Sequence, residues 1–209
     1  MFSEKIAESS LEYFVKSYVF NKSKKKTIIF IHGLFGTSGY WLTFLKYFKN
    51  FKILILDIDY PKIFIENPNK INLHKLLESM LEDYNEYILI SHSMGTVLAQ
   101  YFPEKKIKIS YEICPIKNSV KNNKKKFLKE IDSVTNLSKK EIKNILEKAT
   151  IFLSNSGIEN KSLNKKQYFP KLDLFFNEPL ISENKQLFEG SHFNITNSIS
   201  MINKDLTIN

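Results

Sequence analysis

The chain has 209 residues, of which 43% are hydrophobic and 25% charged, a composition that fits one globular domain with a sizeable buried core. Its formal net charge is +9, but all 31 basic residues are lysine, and no module of interleaved arginine and aromatic side chains points to nucleic acid. The only cysteine is Cys114, which excludes an internal disulfide and is compatible with a reducing compartment.

The first twenty residues interrupt their apolar positions with Glu4, Glu8 and Glu12, unlike a signal peptide, and no run of about 18 apolar residues could span a bilayer. A cytoplasmic protein without a membrane span is expected. The first 26 residues are ambiguous between a short helix and a strand pair.

From Thr27 to His32 the chain is continuously apolar and then stops at Gly33, as a strand buried on both faces does. Comparable runs recur at Lys52 to Ile58, Tyr87 to Ile90, Ile107 to Ile113, Leu172 to Phe176 and Gln186 to Phe188. Between them, Trp41, Phe44, Leu45 and Phe48 repeat with a helical period, as do Leu73, Leu76, Leu77, Met80, Leu81 and Tyr84. Strands alternating with helices predict an α/β fold: a mostly parallel central sheet flanked by helices.

The alternation breaks after Pro115. Residues 117–166 read as a helical cap inserted over the carboxyl edge of the sheet, where ligands bind in such sheets. Phe127, Leu128 and Ile131 mark a short helix, and Ser138 to Glu141 form a capping box for a second, whose apolar stripe is Ile142, Ile145, Leu146, Ala149 and Leu153. Thirteen lysines face five acids in this segment, a net +8 of the chain's +9. Two readings stay open, a solvated helical face and a docking face for an acidic partner such as an acyl carrier protein. The whole of 1–209 is expected to be one domain carrying this cap.

Three motifs carry chemistry. Ser91-His92-Ser93-Met94-Gly95 lies between a strand and a helical pattern, the context of a nucleophile elbow. His32-Gly33-Leu34-Phe35-Gly36 ends the first central strand, and its glycines let backbone N–H groups turn toward a ligand. Gly190-Ser191-His192-Phe193 follows the last strand and supplies an imidazole, which can take up and return a proton near neutral pH.

With these motifs the chain resembles the α/β-hydrolase superfamily from His32 to Phe193, as a small capped member, although Ser91 stands where the pattern G-x-S-x-G has glycine. The resemblance implies Ser93 as nucleophile, His192 as its general base, and the backbone amides of Leu34 and Met94 as oxyanion donors. The other histidines have plainer roles: His32 braces the glycine loop, His92 points away from the nucleophile on the tight turn, and His74 lies on a helix. For the triad acid, Glu178 in Glu178-Pro179-Leu180-Ile181 resembles the family's acid-Pro-Leu turn. Asp173 is the alternative, set aside because it begins the apolar run Leu172 to Phe176 and so falls at the wrong end of a strand. Only fourteen residues separate Glu178 from His192, so the usual crossover helix between acid and base is expected to be a loop.

Such a site hydrolyses a carboxylic ester through an acyl-enzyme, without cofactor or metal. A thioesterase or acyltransferase with the same triad is the alternative, and a non-catalytic binding module retaining the fold is the alternative of another class. The apolar stripe and excess lysines of the cap together suggest an ester carried by an acyl carrier protein, of the kind cleaved by pimeloyl-acyl-carrier-protein methyl esterases.

Overall fold

The computed structural model describes residues 14–66, 71–116, 131, 135–154, 164–171 and 184–208. Its strands are β1 (Val15–Phe20), β2 (Thr27–Ile31), β3 (Lys52–Ile58), β4 (Tyr87–His92), β5 (Ile107–Ile113), β6 (Lys165–Pro170) and β7 (Lys185–Phe188). Its α-helices are α1 (Ser38–Leu42), α2 (Tyr60–Glu66), α3 (Ile71–Met80), α4 (Met94–Leu98), α5 (Lys139–Ser154) and α6 (Thr196–Ile208). The strands form one sheet in the order β1-β3-β2-β4-β5-β6-β7. Only β1 runs antiparallel to its neighbour, pairing Val15 with Ile58 through Phe20 with Ile53; every other pairing is parallel.

Period-two alternation divides the central strands between two cores. Ile29 and Ile31 of β2, Leu54 and Leu56 of β3 and Leu89 of β4 pack under Ile63, Leu73, Leu76, Leu77 and Val97 on one face. Ile28 and Phe30, Ile53 and Ile55, and Ile88 and Ile90 face Trp41, Phe48, Ile199 and Ile202 on the other. Burial on both faces explains why these strands read as unbroken apolar runs rather than as alternating ones.

Five of the six expected strands are present. The sixth differs: the strand that fills the slot between β5 and β7 is Lys165–Pro170, whereas Leu172 to Phe176 lies outside the described residues. β6 opens with Lys165 and Lys166, and Lys166 Nζ lies 2.6 Å from Asp205 of α6, so the start of the strand carries charge where an apolar run was sought. The ambiguous N-terminal stretch contributes the edge strand β1. The Trp41 to Phe48 pattern folds as the short α1 followed by a 3₁₀ turn over Leu45–Phe48 rather than as one continuous helix.

Most of the expected cap, including Phe127 and Leu128, lies outside the described residues. Within it, Ser138 and Glu141 make the capping box: the Glu141 carboxylate accepts the Ser138 N–H at 2.8 Å, and Ser138 Oγ accepts the Glu141 N–H at 3.3 Å. Helix α5 buries Ile142, Ala149 and Phe152 and meets α2 through Phe152 and Phe64, ring centroids 5.1 Å apart. The range 117–166 overlaps the first two residues of β6. No helix among the described residues is long and apolar enough to cross a membrane.

Trp41 is fully buried and its ring stacks on Phe30 of β2 at 4.8 Å, anchoring α1 behind the glycine loop. Trp41→Ala removes a large buried ring and is expected to lower unfolding free energy by about 3 to 5 kcal/mol, measured by urea denaturation.

Candidate active site

Strand β4 lies between β2 and β5, and its carboxyl end carries Ser93 at φ 52° and ψ −120°, in a left-handed region that non-glycine residues rarely occupy. Neighbouring backbone holds it there. Ser93 N–H donates to Ile113 O of β5 at 2.9 Å, and Ser93 O accepts both the Thr96 N–H at 2.9 Å and the Thr96 hydroxyl at 2.7 Å. Helix α4 then passes so close to β2 that a Cβ on Gly95 would lie 2.6 Å from Ile31 O and 2.7 Å from His32 O. Glycine is therefore required two residues after Ser93. Two residues before it the requirement is weaker. Ser91 still belongs to the β4 ladder, paired with Ile31 and Glu112, and its hydroxyl reaches Tyr111 O at 3.4 Å, so a small polar side chain fits.

His192 Nε2 lies 2.9 Å from Ser93 Oγ. The two residues are 99 positions apart in the chain, both are buried, and His192 sits in the loop between β7 and α6. Gly190 opens that loop under a steric demand of its own, since a Cβ there would lie 2.3 Å from Asn194 O and 2.8 Å from the Phe188 ring. The structure thus brings together the serine and histidine singled out in the sequence. Glu178 and Asp173 both lie outside the described residues. Because β6 ends at Pro170, Asp173 follows the carboxyl end of this strand by three residues and Glu178 by eight, so the distance argument that set Asp173 aside falls.

The glycine loop abuts the elbow: a Cβ on Gly33 would lie 2.9 Å from Ser93 Cβ and 3.1 Å from His92 Nδ1. His32 braces the loop as expected. Its Nδ1 is 2.8 Å from Gly33 O, while its Nε2 accepts the Ile58 N–H at 2.9 Å, which fixes the proton of the neutral ring on Nδ1. Asp57 accepts the Ser38 N–H at 2.9 Å and lies 3.5 Å from His32 Nε2. Tyr60 hydroxyl donates to His32 O, and Phe35 turns through φ 65°. Among the described residues no backbone carbonyl takes the Leu34 N–H. Met94 opens α4, where an N–H has no acceptor within the helix.

The remaining histidines separate cleanly. His74 Nδ1 bonds Tyr101 O on a helix, remote in role from the elbow. His92 is buried, and its Nε2–H donates to His192 O at 2.7 Å. Burial, reinforced by the neighbouring His192, pushes its pKa down to about 3, so it is neutral at physiological pH. Sequence reasoning missed this contact, and also the Tyr40 hydroxyl that donates to Phe193 O at 2.9 Å. No motif links positions 153 residues apart.

No family model matches the sequence, and no curated protein is similar to it. Solved structures are similar in fold. A serine hydrolase from the polyaromatic-hydrocarbon-degrading bacterium Cycloclasticus zankles superposes with a TM-score of 0.64 at 13% identity over 100% of this chain and 97% of its own. The thioesterase domain of the curacin biosynthetic pathway does so with a TM-score of 0.63 at 10% identity, over 99% of each chain. A carboxylesterase of Bacillus subtilis gives 0.62 at 11% identity, over 99% of this chain and 90% of its own. The chain has the α/β-hydrolase fold, as its three motifs led one to expect.

Ser91→Gly, which restores the usual glycine of the elbow, is expected to leave the fold intact. It removes the long 3.4 Å bond to Tyr111 O and frees the backbone of a buried strand residue, together costing about 1 to 2 kcal/mol. Urea denaturation checks this.

Proposed function

We propose that this protein is a serine hydrolase that cleaves carboxylic esters or thioesters through an acyl-enzyme on Ser93. The observation that carries the reading is the 2.9 Å contact of His192 Nε2 with Ser93 Oγ on a positive-φ elbow. In this reading His192 takes the Ser93 proton as Oγ attacks the carbonyl, then returns it to the leaving group. The Leu34 and Met94 amides receive the negative charge that develops on the carbonyl oxygen. Water then repeats the sequence on the acyl-enzyme and releases the acid. Solved neighbours described as a serine hydrolase, a thioesterase domain and a carboxylesterase support this class.

Ser93→Ala is expected to abolish hydrolysis of p-nitrophenyl esters and acyl-thioesters, and labelling by a fluorophosphonate, without loss of fold. Nucleophile removal costs on the order of 10⁶-fold in other serine hydrolases, so a variant retaining a tenth of wild-type turnover would overturn the assignment. An unlabelled but folded wild-type protein would favour a binding module.

The acid that orients His192 comes from the segment after β6. Glu178 is the residue the resemblance selects, and Asp173 is the one that lies closer to the observed end of the strand. Replacing the true acid by its amide is expected to lower turnover by about 10⁴-fold with little change in folding, while the other substitution is nearly silent. Comparing Glu178→Gln with Asp173→Asn on one ester substrate decides between them.

The finer substrate proposal is an acyl chain presented on an acidic carrier protein. Its support is the +8 charge of residues 117–166 and the exposure of Lys139, Lys140 and Lys143 on α5. Raising ionic strength should then weaken activity on a carrier-bound substrate far more than on a small neutral ester, because salt screens long-range attraction. Equal salt dependence would leave these lysines as solvated surface.

A further inference from the structure

The loop that carries His192 is anchored at its far end by Ile195, which is fully buried in the core. Within it, Ser191 N–H donates to Asn194 O and Asn194 N–H to Ser191 Oγ, both at 3.3 Å. Asn197 Nδ2 bonds Glu189 O at 2.7 Å. These bonds shape the turn but do not set its distance from the elbow. Side chains from far along the chain reach this loop from the elbow and from α1. His92 Nε2–H donates to His192 O at 2.7 Å across 100 residues. The Tyr40 hydroxyl donates to Phe193 O at 2.9 Å across 153, and the buried Cys114 thiol lies 3.9 Å from the same His192 carbonyl.

His92 is suited to this by its place. It immediately precedes Ser93 at the end of β4, so nucleophile and clamp leave the sheet from one rigid point. Its ring is enclosed between Tyr40, at a centroid distance of 5.8 Å, and His192, at 5.2 Å. Gly33 lies on its Nδ1 side. Buried and neutral, with its proton on Nε2, it offers one donor in one direction.

We propose that His92 and Tyr40 are positioning residues that grip two successive backbone carbonyls, those of His192 and Phe193, and so hold the catalytic imidazole on Ser93 Oγ. The inference rests on the serine-hydrolase reading for its catalytic part, whereas its geometric part stands without it. A displacement of about 1 Å in such a pair can cost about a hundredfold in rate, which is why the clamp matters although neither residue touches substrate.

The test uses the full chain and three variants: His92→Leu, His92→Gln and Tyr40→Phe. Gln carries a donor at the reach of Nε2, Leu carries none, and Tyr40→Phe removes only a hydroxyl. For p-nitrophenyl ester hydrolysis, His92→Leu is expected to lower kcat about a hundredfold with KM nearly unchanged. Tyr40→Phe should lower kcat about tenfold, the scale of one lost hydrogen bond, and Gln should recover most of what Leu loses. Backbone 15N relaxation should show the amides of residues 191–194 becoming mobile in His92→Leu and Tyr40→Phe, with the rest of the protein unchanged.

Wild-type kcat in folded Tyr40→Phe together with Gln no better than Leu, or a loop as rigid as in wild type in Tyr40→Phe, would overturn the clamp. If His92→Leu does not fold, the Gln and Phe variants still decide. Failure of Ser93 in the wild type to react with a fluorophosphonate would overturn the hydrolase reading instead, and the relaxation measurement would still judge the clamp.

Discussion

Everything at the carboxyl edge of this sheet depends on how closely α4 crosses β2. The Ile31 and His32 carbonyls stand where a Cβ on Gly95 would be, and this approach forces the chain to turn sharply at Ser93, into a left-handed backbone conformation stabilised by Ile113 O and Thr96. Such a conformation persists only when its surroundings over-determine it. Here two flanking strands, one glycine and one threonine do so, and the strain is converted into a side chain that stands clear of the sheet.

From that point the other groups are built outward. The glycine loop leaves β2 next to the elbow and is braced by His32, whose two ring nitrogens are satisfied by Gly33 O and the Ile58 N–H. His192 is delivered by a loop whose backbone is gripped from β4 and α1. Most of the resulting constellation lies in loops, yet each member is within four residues of a strand or helix, so that short connections carry it from rigid elements.

How much of this could be read from the sequence follows from how locally each feature is encoded. Strands β2 to β4 are buried on both faces, so their apolar runs announced them, and the elbow, the glycine loop and the capping box are patterns within five residues. Strand β6 begins with Lys165 and Lys166 and ends with Pro170. Its membership in the sheet is decided by neighbours on both sides and by the Lys166–Asp205 pair, whereas Leu172 to Phe176 is the more apolar run in the sequence. β1 is an edge strand in which only Val15 is buried, too little for a period to show. The roles of His92 and Tyr40 could not have been read at all, because each is defined by a backbone carbonyl a hundred or more residues away.

The separation of Ser93 from His192 has a consequence for a chain made from its N-terminus. When a ribosome has released β2 to β5, the elbow and the glycine loop have all their own residues, but the His192 imidazole that meets Ser93 is still 99 positions behind it. Its loop can be seated only after β7 has joined the sheet and Phe193 has met Tyr40. A growing chain therefore shapes the turn at Ser93 well before the His192 contact can form, and the pair is completed only when the loop after β7 docks.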